Sequence, residues 1–302
     1  MSRAIVLFLA ICESAYSQSA VFDWVKQIGG SNGQSVAGIA TDPAGNTYVV
    51  GNTLSVDFPT TSSSAQPNPG GAGLYRVDGP GSAWKSLASS GFAAVFSLAA
   101  NPSGPSTIYA ASQSGLVRST DGGVAWTSTG NLPTPAAAIA LDSSGVLYAV
   151  TAASGLFKST DGGSTFAAIN NGITPDPLGR LLFEGIWTDP TQPSVVFAAQ
   201  NTGLIRTSDG GATWRPAAPF LGTISLAFDA STPGAVYATA GANVFASTDD
   251  GQTWTLLPPV AGATDPLSTI LADPKTPGTL WGGSPGGPNF GGLWKSTDHG
   301  QT

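Results

Sequence analysis

Nearly the same nine residues recur along this chain. Aligned on an aspartate, the copies read RSTDGGVAW around Asp121, KSTDGGSTF around Asp161, RTSDGGATW around Asp209, ASTDDGQTW around Asp249 and KSTDHGQT around Asp298. A degenerate copy, YRVDGPGSAW, surrounds Asp78 and ends in Trp84. The five aspartates are 40, 48, 40 and 49 residues apart, a period that marks a repeat architecture and constrains the fold before any single residue is weighed.

Each period carries four short apolar runs. In one copy they are SLAFD ending at Asp229, AVYATA around Tyr237, NVFASTD around Phe245 and TWTLL around Trp254. A leucine-rich or helical repeat would need a different internal period. Four strands per 40 to 50 residues describe a four-stranded blade, and blades of this kind pack radially into a β-propeller. Tyr48, Tyr109, Tyr148, Phe197, Tyr237 and Trp281 share one second-strand position, as expected of a core layer between neighbouring blades. Composition agrees: 40 Gly and 23 Pro punctuate many tight turns, and 41% hydrophobic residues suffice for a sizeable core.

The recurrent turn has a physical reading. Between the third and fourth strands, the aspartate accepts hydrogen bonds from backbone N–H groups of its own turn, and glycine supplies the positive φ of a tight hairpin. The aromatic that follows starts the fourth strand and is expected to bury against the next blade. Asp121, Asp161, Asp209, Asp249 and Asp298, with Trp126, Phe166, Trp214 and Trp254, are therefore expected to be structural.

The Ser-x-Asp-x-Gly-x-Thr-Trp wording of residues 119–126, 159–166, 207–214 and 247–254 resembles the Asp-box, or BNR repeat. That resemblance spans residues 73–302 and implies a β-propeller. Proteins with such repeats include sialidases, sortilin-type receptors, xyloglucan-cleaving propeller glycosidases and photosystem II assembly factors. Upstream, residues 23–61, with Asp-Pro-x-Gly-Asn-x-Tyr and Asp-Phe-Pro-Thr, resemble the SBBP-type propeller repeat of bacterial exported proteins, which implies a fold and a cell-surface setting but no reaction.

First strands end near Asp42, Asn101, Asp142, Asp189, Asp229 and Asp273, so the expected fold is all-β, with about six four-stranded antiparallel blades. The last blade is truncated at Thr302. Either VFDWVKQI, residues 21–28, completes it, or the chain is a fragment of a propeller with seven or more blades. In such a meander, the links from second to third strand and from blade to blade emerge at one end, and the acidic turns at the other. The longest links, residues 51–72, 171–185, 258–268 and 283–291, all fall at the end without acidic turns, where either binding or tolerated insertion is expected.

The N-terminus reads as an export signal over residues 1–17: Arg3, an apolar run from Ala4 to Ile11 and a small-x-small site at Ala15-Tyr16-Ser17. A buried first strand is the alternative. The run is too short to span a bilayer, so residues 18–302 are expected to be a single propeller domain that is secreted, periplasmic or at the cell surface, without membrane insertion. Cys12, the only cysteine, falls in the leader, where lipidation would need a small residue in place of Ile11. A net charge of −7 with 11 scattered Lys and Arg argues against nucleic acid.

An enzyme needs residues that the repeat leaves over. Beyond the turn and strand-end aspartates these are Asp23, Asp57, Asp176, Asp250, Asp265 and Glu184. Glycoside hydrolysis uses two carboxylates across the sugar, and Asp176 and Glu184, with Arg180 between them, form the best cluster; a surface loop with an internal ion pair is the competing reading. Sialidase chemistry lacks its arginine cluster, because Arg76, Arg118 and Arg206 share a repeat position with Lys158 and Lys295 and read as solvent-facing. His299 is the only histidine and reads as a turn substitution, so no metal or cofactor is expected. All eight Trp occupy repeat positions, and Phe58, Phe220 and Phe290 remain as loop aromatics. Three functions stay open: a non-catalytic module binding a protein or polysaccharide through the link-rich face, a xyloglucanase-like or sialidase-like glycoside hydrolase, and an assembly factor gripping an extended segment of a partner.

Overall fold

A computed structural model of the chain describes residues 34–53, 72–78, 82, 85–87, 95–104, 106–151, 153–220, 224–260, 267–274, 276–284 and 292–302. The expected leader with Cys12, the strand at 21–28 with Asp23 and Trp24, and Asp57, Phe58, Trp84, Asp265 and Phe290 lie outside these residues. So do most of three of the four long links, 51–72, 258–268 and 283–291.

Among the described residues there is no helix, and the strands form six antiparallel meanders. The first is β1 (Gln34–Thr41), β2 (Asn46–Thr53), β3 (Ala72–Asp78) and β4 (Lys85–Leu87); the second is β5 (Val95–Ala100), β6 (Ile108–Ser112), β7 (Gly115–Ser119) and β8 (Thr127–Ser128). The third is β9 (Ala136–Leu141), β10 (Leu147–Thr151), β11 (Gly155–Ser159) and β12 (Ala167–Ala168); the fourth is β13 (Phe183–Thr188), β14 (Val196–Gln200), β15 (Gly203–Thr207) and β16 (Arg215–Ala218). The fifth is β17 (Ile224–Phe228), β18 (Val236–Ala240), β19 (Asn243–Ser247) and β20 (Thr255–Leu256). The sixth has three described strands, β21 (Thr269–Ala272), β22 (Leu280–Ser284) and β23 (Gly292–Ser296). These are the blades of a six-bladed β-propeller.

The chain divides into two compact units, residues 1–168 with the first three sheets and 169–302 with the last three. In the first unit one apolar cluster joins Tyr48, Val50 and Leu74 to Leu98, Ile108 and Ala110, and another joins Tyr109 and Leu116 to Ile139, Leu147 and Phe157. In the second, Phe197, Leu204 and Phe220 meet Leu226, Val236 and Ala238, and Ala227, Tyr237 and Val244 meet Leu267, Ile270 and Leu280. Each second strand is buried along its length in the second to fifth sheets. Its aromatic is buried five times over, at Tyr48, Tyr109, Tyr148, Phe197 and Tyr237. Each such side chain stabilises the interface by about 1.5–3 kcal/mol. Trp281, in the sixth sheet, is half-buried, with the Lys295 ammonium 5.0 Å above its ring.

Strand-end aspartates hold the first turn of each sheet. Asp42 accepts from the N–H groups of Ala44 and Asn46 at 3.0 and 2.9 Å, and Asp142 from those of Ser144 and Val146 at 2.9 and 3.0 Å. Both are buried, and their outer oxygens accept from the Tyr48 and Tyr148 hydroxyls. Burial and the adjacent aspartate push both phenols up. Asn101 replaces the aspartate in the second sheet, and there Tyr109 turns to the third sheet and donates to the Gly162 carbonyl at 3.1 Å.

Candidate functional site

Five regular acidic turns lie between third and fourth strands or, in the sixth sheet, directly after β23. In the third sheet the Ser159 hydroxyl accepts from the Gly163 N–H at 2.9 Å and donates to Asp161 Oδ1 at 2.7 Å. Asp161 in turn accepts from the Thr165 hydroxyl at 2.6 Å and the Thr165 N–H at 2.9 Å. Asp209, Asp249 and Asp298 repeat this with Thr213, Thr253 and Thr302, and Asp121 uses the N–H groups of Val124 and Ala125. The Thr165 hydroxyl above all holds the Asp161 carboxyl down to about 2; Thr207 does so for Asp209, Thr253 for Asp249 and Thr302 for Asp298, while the Ala125 N–H lowers Asp121. Carboxylates bonded this completely to their own turns are poor proton donors or metal ligands.

The turns also explain their glycines. Gly123 has φ +91°, and a Cβ there would stand 2.4 Å from Leu87 of the first sheet, so a side chain is excluded both by conformation and by the neighbour. In the second, third and fifth sheets the closing aromatic packs on the preceding sheet, not the next one as expected. Trp254 meets Phe220 edge-on at 5.2 Å, Trp214 Nε1 donates to the Ile169 carbonyl at 2.7 Å, and the Phe166 N–H donates to Asn131 Oδ1 at 2.7 Å. Trp126 packs in the cluster that the first two sheets share.

A second correction concerns the arginines. Arg76, Arg118 and Arg206 are half-buried, not solvent-facing. Arg118 reaches the carbonyl of Gly162 at 3.1 Å and Arg76 that of Gly122 at 3.2 Å, so each spans to the turn of the following sheet. Strand pairing sets Arg76 opposite Tyr48 just as Arg118 stands opposite Tyr109. The degenerate copy is thus displaced by one residue: buried Val77 stands where Ser119 does, and Asp78 does not correspond to Asp121. Asp78 instead bonds Arg76 and Lys85, and Lys85 first, then Arg76, lowers its carboxyl.

At the other end of the fourth sheet, the link 170–182 is described in full. The Asp176 carboxylate closes a turn by accepting the N–H groups of Leu178 and Arg180 at 2.9 and 2.8 Å. The Arg180 guanidinium then grips Oδ2 through Nε at 2.9 Å and an outer nitrogen at 2.8 Å. The Arg180 N–H and then the guanidinium hold the carboxyl below its usual range. Glu184 is exposed on β13, and no described hydrogen bond or ion pair joins it to Asp176. The expected trio is therefore an Asp176–Arg180 pair plus a separate glutamate. Leu178, 75% exposed, stands at the tip, and the Gln200 amide tethers the link through the Thr174 carbonyl at 3.4 Å. Gln200 precedes the link from second to third strand, so that link and 170–182 share one end of the sheet. The acidic turn is at the opposite end, where the Gly210 N–H bonds the Ser194 carbonyl at 3.0 Å.

The remaining candidates are absorbed locally. Phe220 is buried against Phe245 and Trp254, and Asp250, at φ +57°, is bonded by the Gln192 amide at 2.5 Å. His299, at φ +61°, sits 2.9 Å from the Tyr237 hydroxyl, whose pKa burial and then Asp229 push up to about 12. No group of three or more His, Cys, Asp or Glu that could hold a metal occurs among the described residues, and they include no helix long and apolar enough to cross a membrane.

The SBBP β-propeller repeat family matches residues 23–59. No curated protein matches the chain. Among solved structures it is similar to the GH74 enzyme of Niastella koreensis, with 21% identity and a TM-score of 0.66 over 87% of this chain and 45% of that one. The GH74 xyloglucanase of Xanthomonas campestris gives 18%, 0.66, 89% and 45%. YCF48 bound to D1 peptide gives 15%, 0.56, 88% and 77%. An extracellular domain of a putative hybrid two-component system from B. thetaiotaomicron gives 15%, 0.56, 86% and 38%. The chain spans under half the length of the GH74 enzymes it matches.

Proposed function

We propose that this protein is an exported, non-catalytic β-propeller of the Asp-box type, which binds a protein or polysaccharide through its link-rich end. One observation carries the reading: the Asp176 carboxylate, the best acid on that end, is consumed by its own turn and by Arg180. A general acid needs a raised pKa and a partner carboxylate across the substrate, and Asp176 is lowered and stands without Glu184. Exposed Leu178 at the tip of the same link offers apolar area beside the Arg180 charge. The likeness to a peptide-bound YCF48 supports a protein partner.

The likeness to GH74 enzymes supports a second reading, in which Asp176 and Glu184 act on a β-glucan. A xyloglucan hydrolysis assay and an affinity measurement on the same preparation separate the two. The binding reading expects no reducing ends above the blank, and a Leu178→Asp variant that loses partner affinity while keeping its melting temperature. Hydrolysis that Asp176→Asn or Glu184→Gln abolishes without unfolding would replace it with the enzyme.

A further inference from the structure

Two of the sheets set one cation directly opposite another. Strand pairing places Arg76 against Lys85 in the first sheet and Arg206 against Arg215 in the fourth. In the second, third and fifth sheets the same place holds Arg118 and Thr127, Lys158 and Ala167, and Ala246 and Thr255. Like charges so placed repel. The first sheet answers with an acid of its own: Asp78 takes the Arg76 Nε on one carboxylate oxygen and the Lys85 ammonium on the other.

The fourth sheet has the cations without the acid. Asp78 follows Arg76 by two residues, and the residue in that place after Arg206 is Ser208. Asp209 is spent on the Thr207 and Thr213 hydroxyls and the Thr213 N–H. Asp250, in the turn of the following sheet, accepts from the Gln192 amide. Among the described residues no hydrogen bond or ion pair engages Arg206 or Arg215, and the Arg206 Nε is buried without an acceptor. A donor stranded in this way, beside a second positive charge, is relieved by an anion from outside.

We propose that Arg206 and Arg215 bind a carboxylate presented by an acidic side chain of a protein partner. The first sheet shows the fit, because a carboxylate there joins two cations across the same strand pair. Two guanidinium forks match the two oxygens of such a group at least as well as the Arg76 and Lys85 side chains do. Exposed Arg215 opens the site to solvent, and half-buried Arg206 fixes its inner side. An acidic side chain suits the place better than a uronic acid: the hydroxyls beside it, Thr207 and Thr213, are already given to Asp209 and leave a sugar ring little to bond. Both arginines flank the acidic turn, at the end of the fourth sheet opposite the link 170–182. The site is therefore distinct from the link-rich end and does not depend on what that end binds.

The test titrates the full chain with the blocked tripeptide Glu-Asp-Glu and reads the side-chain Nε–H signals of Arg206 and Arg215 by NMR. A saturable shift of both is expected, weakening as salt is raised, with none from the neutral tripeptide Gln-Asn-Gln. Arg206→Gln and Arg215→Gln should each weaken binding about tenfold. Arg215→Lys, which reproduces the first sheet's pairing, should bind between the parent and Arg215→Gln. Ser208→Asp supplies an acid where the first sheet has Asp78 and should displace the peptide. Should Arg206→Gln unfold, the variant at exposed Arg215 decides alone. The proposal is overturned by the absence of a saturable shift, by equal binding of the neutral tripeptide, or by undiminished binding in a folded Arg215→Gln or Ser208→Asp chain. A response to polygalacturonate or inorganic phosphate but not to the peptide would overturn it too.

Discussion

The turn after β3 and the turn after β11 begin from nearly the same words and are held by different forces. After β11, Ser159 and Asp161 collect the turn's own hydroxyl and amide hydrogens. After β3, Val77 fills the serine's place, and Asp78 meets the Arg76 and Lys85 side chains. Arg76 and Arg118 hold the same register, but Asp78 follows Arg76 by two residues where Asp121 follows Arg118 by three, so its carboxylate falls one residue short of the amides and meets cations instead. The lesson is that an aspartate marks such a turn only when a hydroxyl stands two residues before it.

The largest expected effect tests what the amide-held turn is for. Trp214→Ala removes a buried ring and its bond to the Ile169 carbonyl, and denaturant unfolding is expected to report a loss of about 3–5 kcal/mol. Next, Ser159→Val installs the first sheet's residue in the third sheet and strands the buried Gly163 N–H. The same measurement should give a loss of about 1–3 kcal/mol, and an unchanged stability would erase the distinction between the two turns. The smallest effect is electrostatic. Asp249 is held at about 2 from an ordinary 3.8, so its contribution is complete above the ordinary value and is lost as pH falls from about 4 to about 2. Asp249→Asn should flatten the melting temperature across that window, and 0.5 M salt should leave its effect intact. Lys85→Ala, at a pair open to solvent, should cost less than about 0.5 kcal/mol and nothing at high salt.

Much of this was legible in the residues. The recurrence of Asp121, Asp161, Asp209, Asp249 and Asp298, with one aromatic per second strand, is a pattern that only a stack of like sheets satisfies. The direction in which Trp126 and Trp254 pack was not legible, because a period looks the same read toward either neighbour. Arg118 was misread for a related reason: a strand residue that alternates away from its own sheet's partner still faces the next sheet, and alternation alone cannot distinguish that surface from water. Asp176 and Arg180 were readable as a pair from their spacing of four. Their isolation from Glu184 depends on where the turn ends and β13 begins, which no local pattern specifies.

The carbonyl of Gly162, accepting from both Tyr109 and Arg118, gives the assembly a polarity. The first sheet extends Arg76 forward to the second and the second extends Tyr109 and Arg118 forward to the third, while the closing rings Trp126 and Phe166 lean back the other way. A chain threaded out N-terminus first therefore presents the second and third sheets, as each emerges, with a finished template on which to settle.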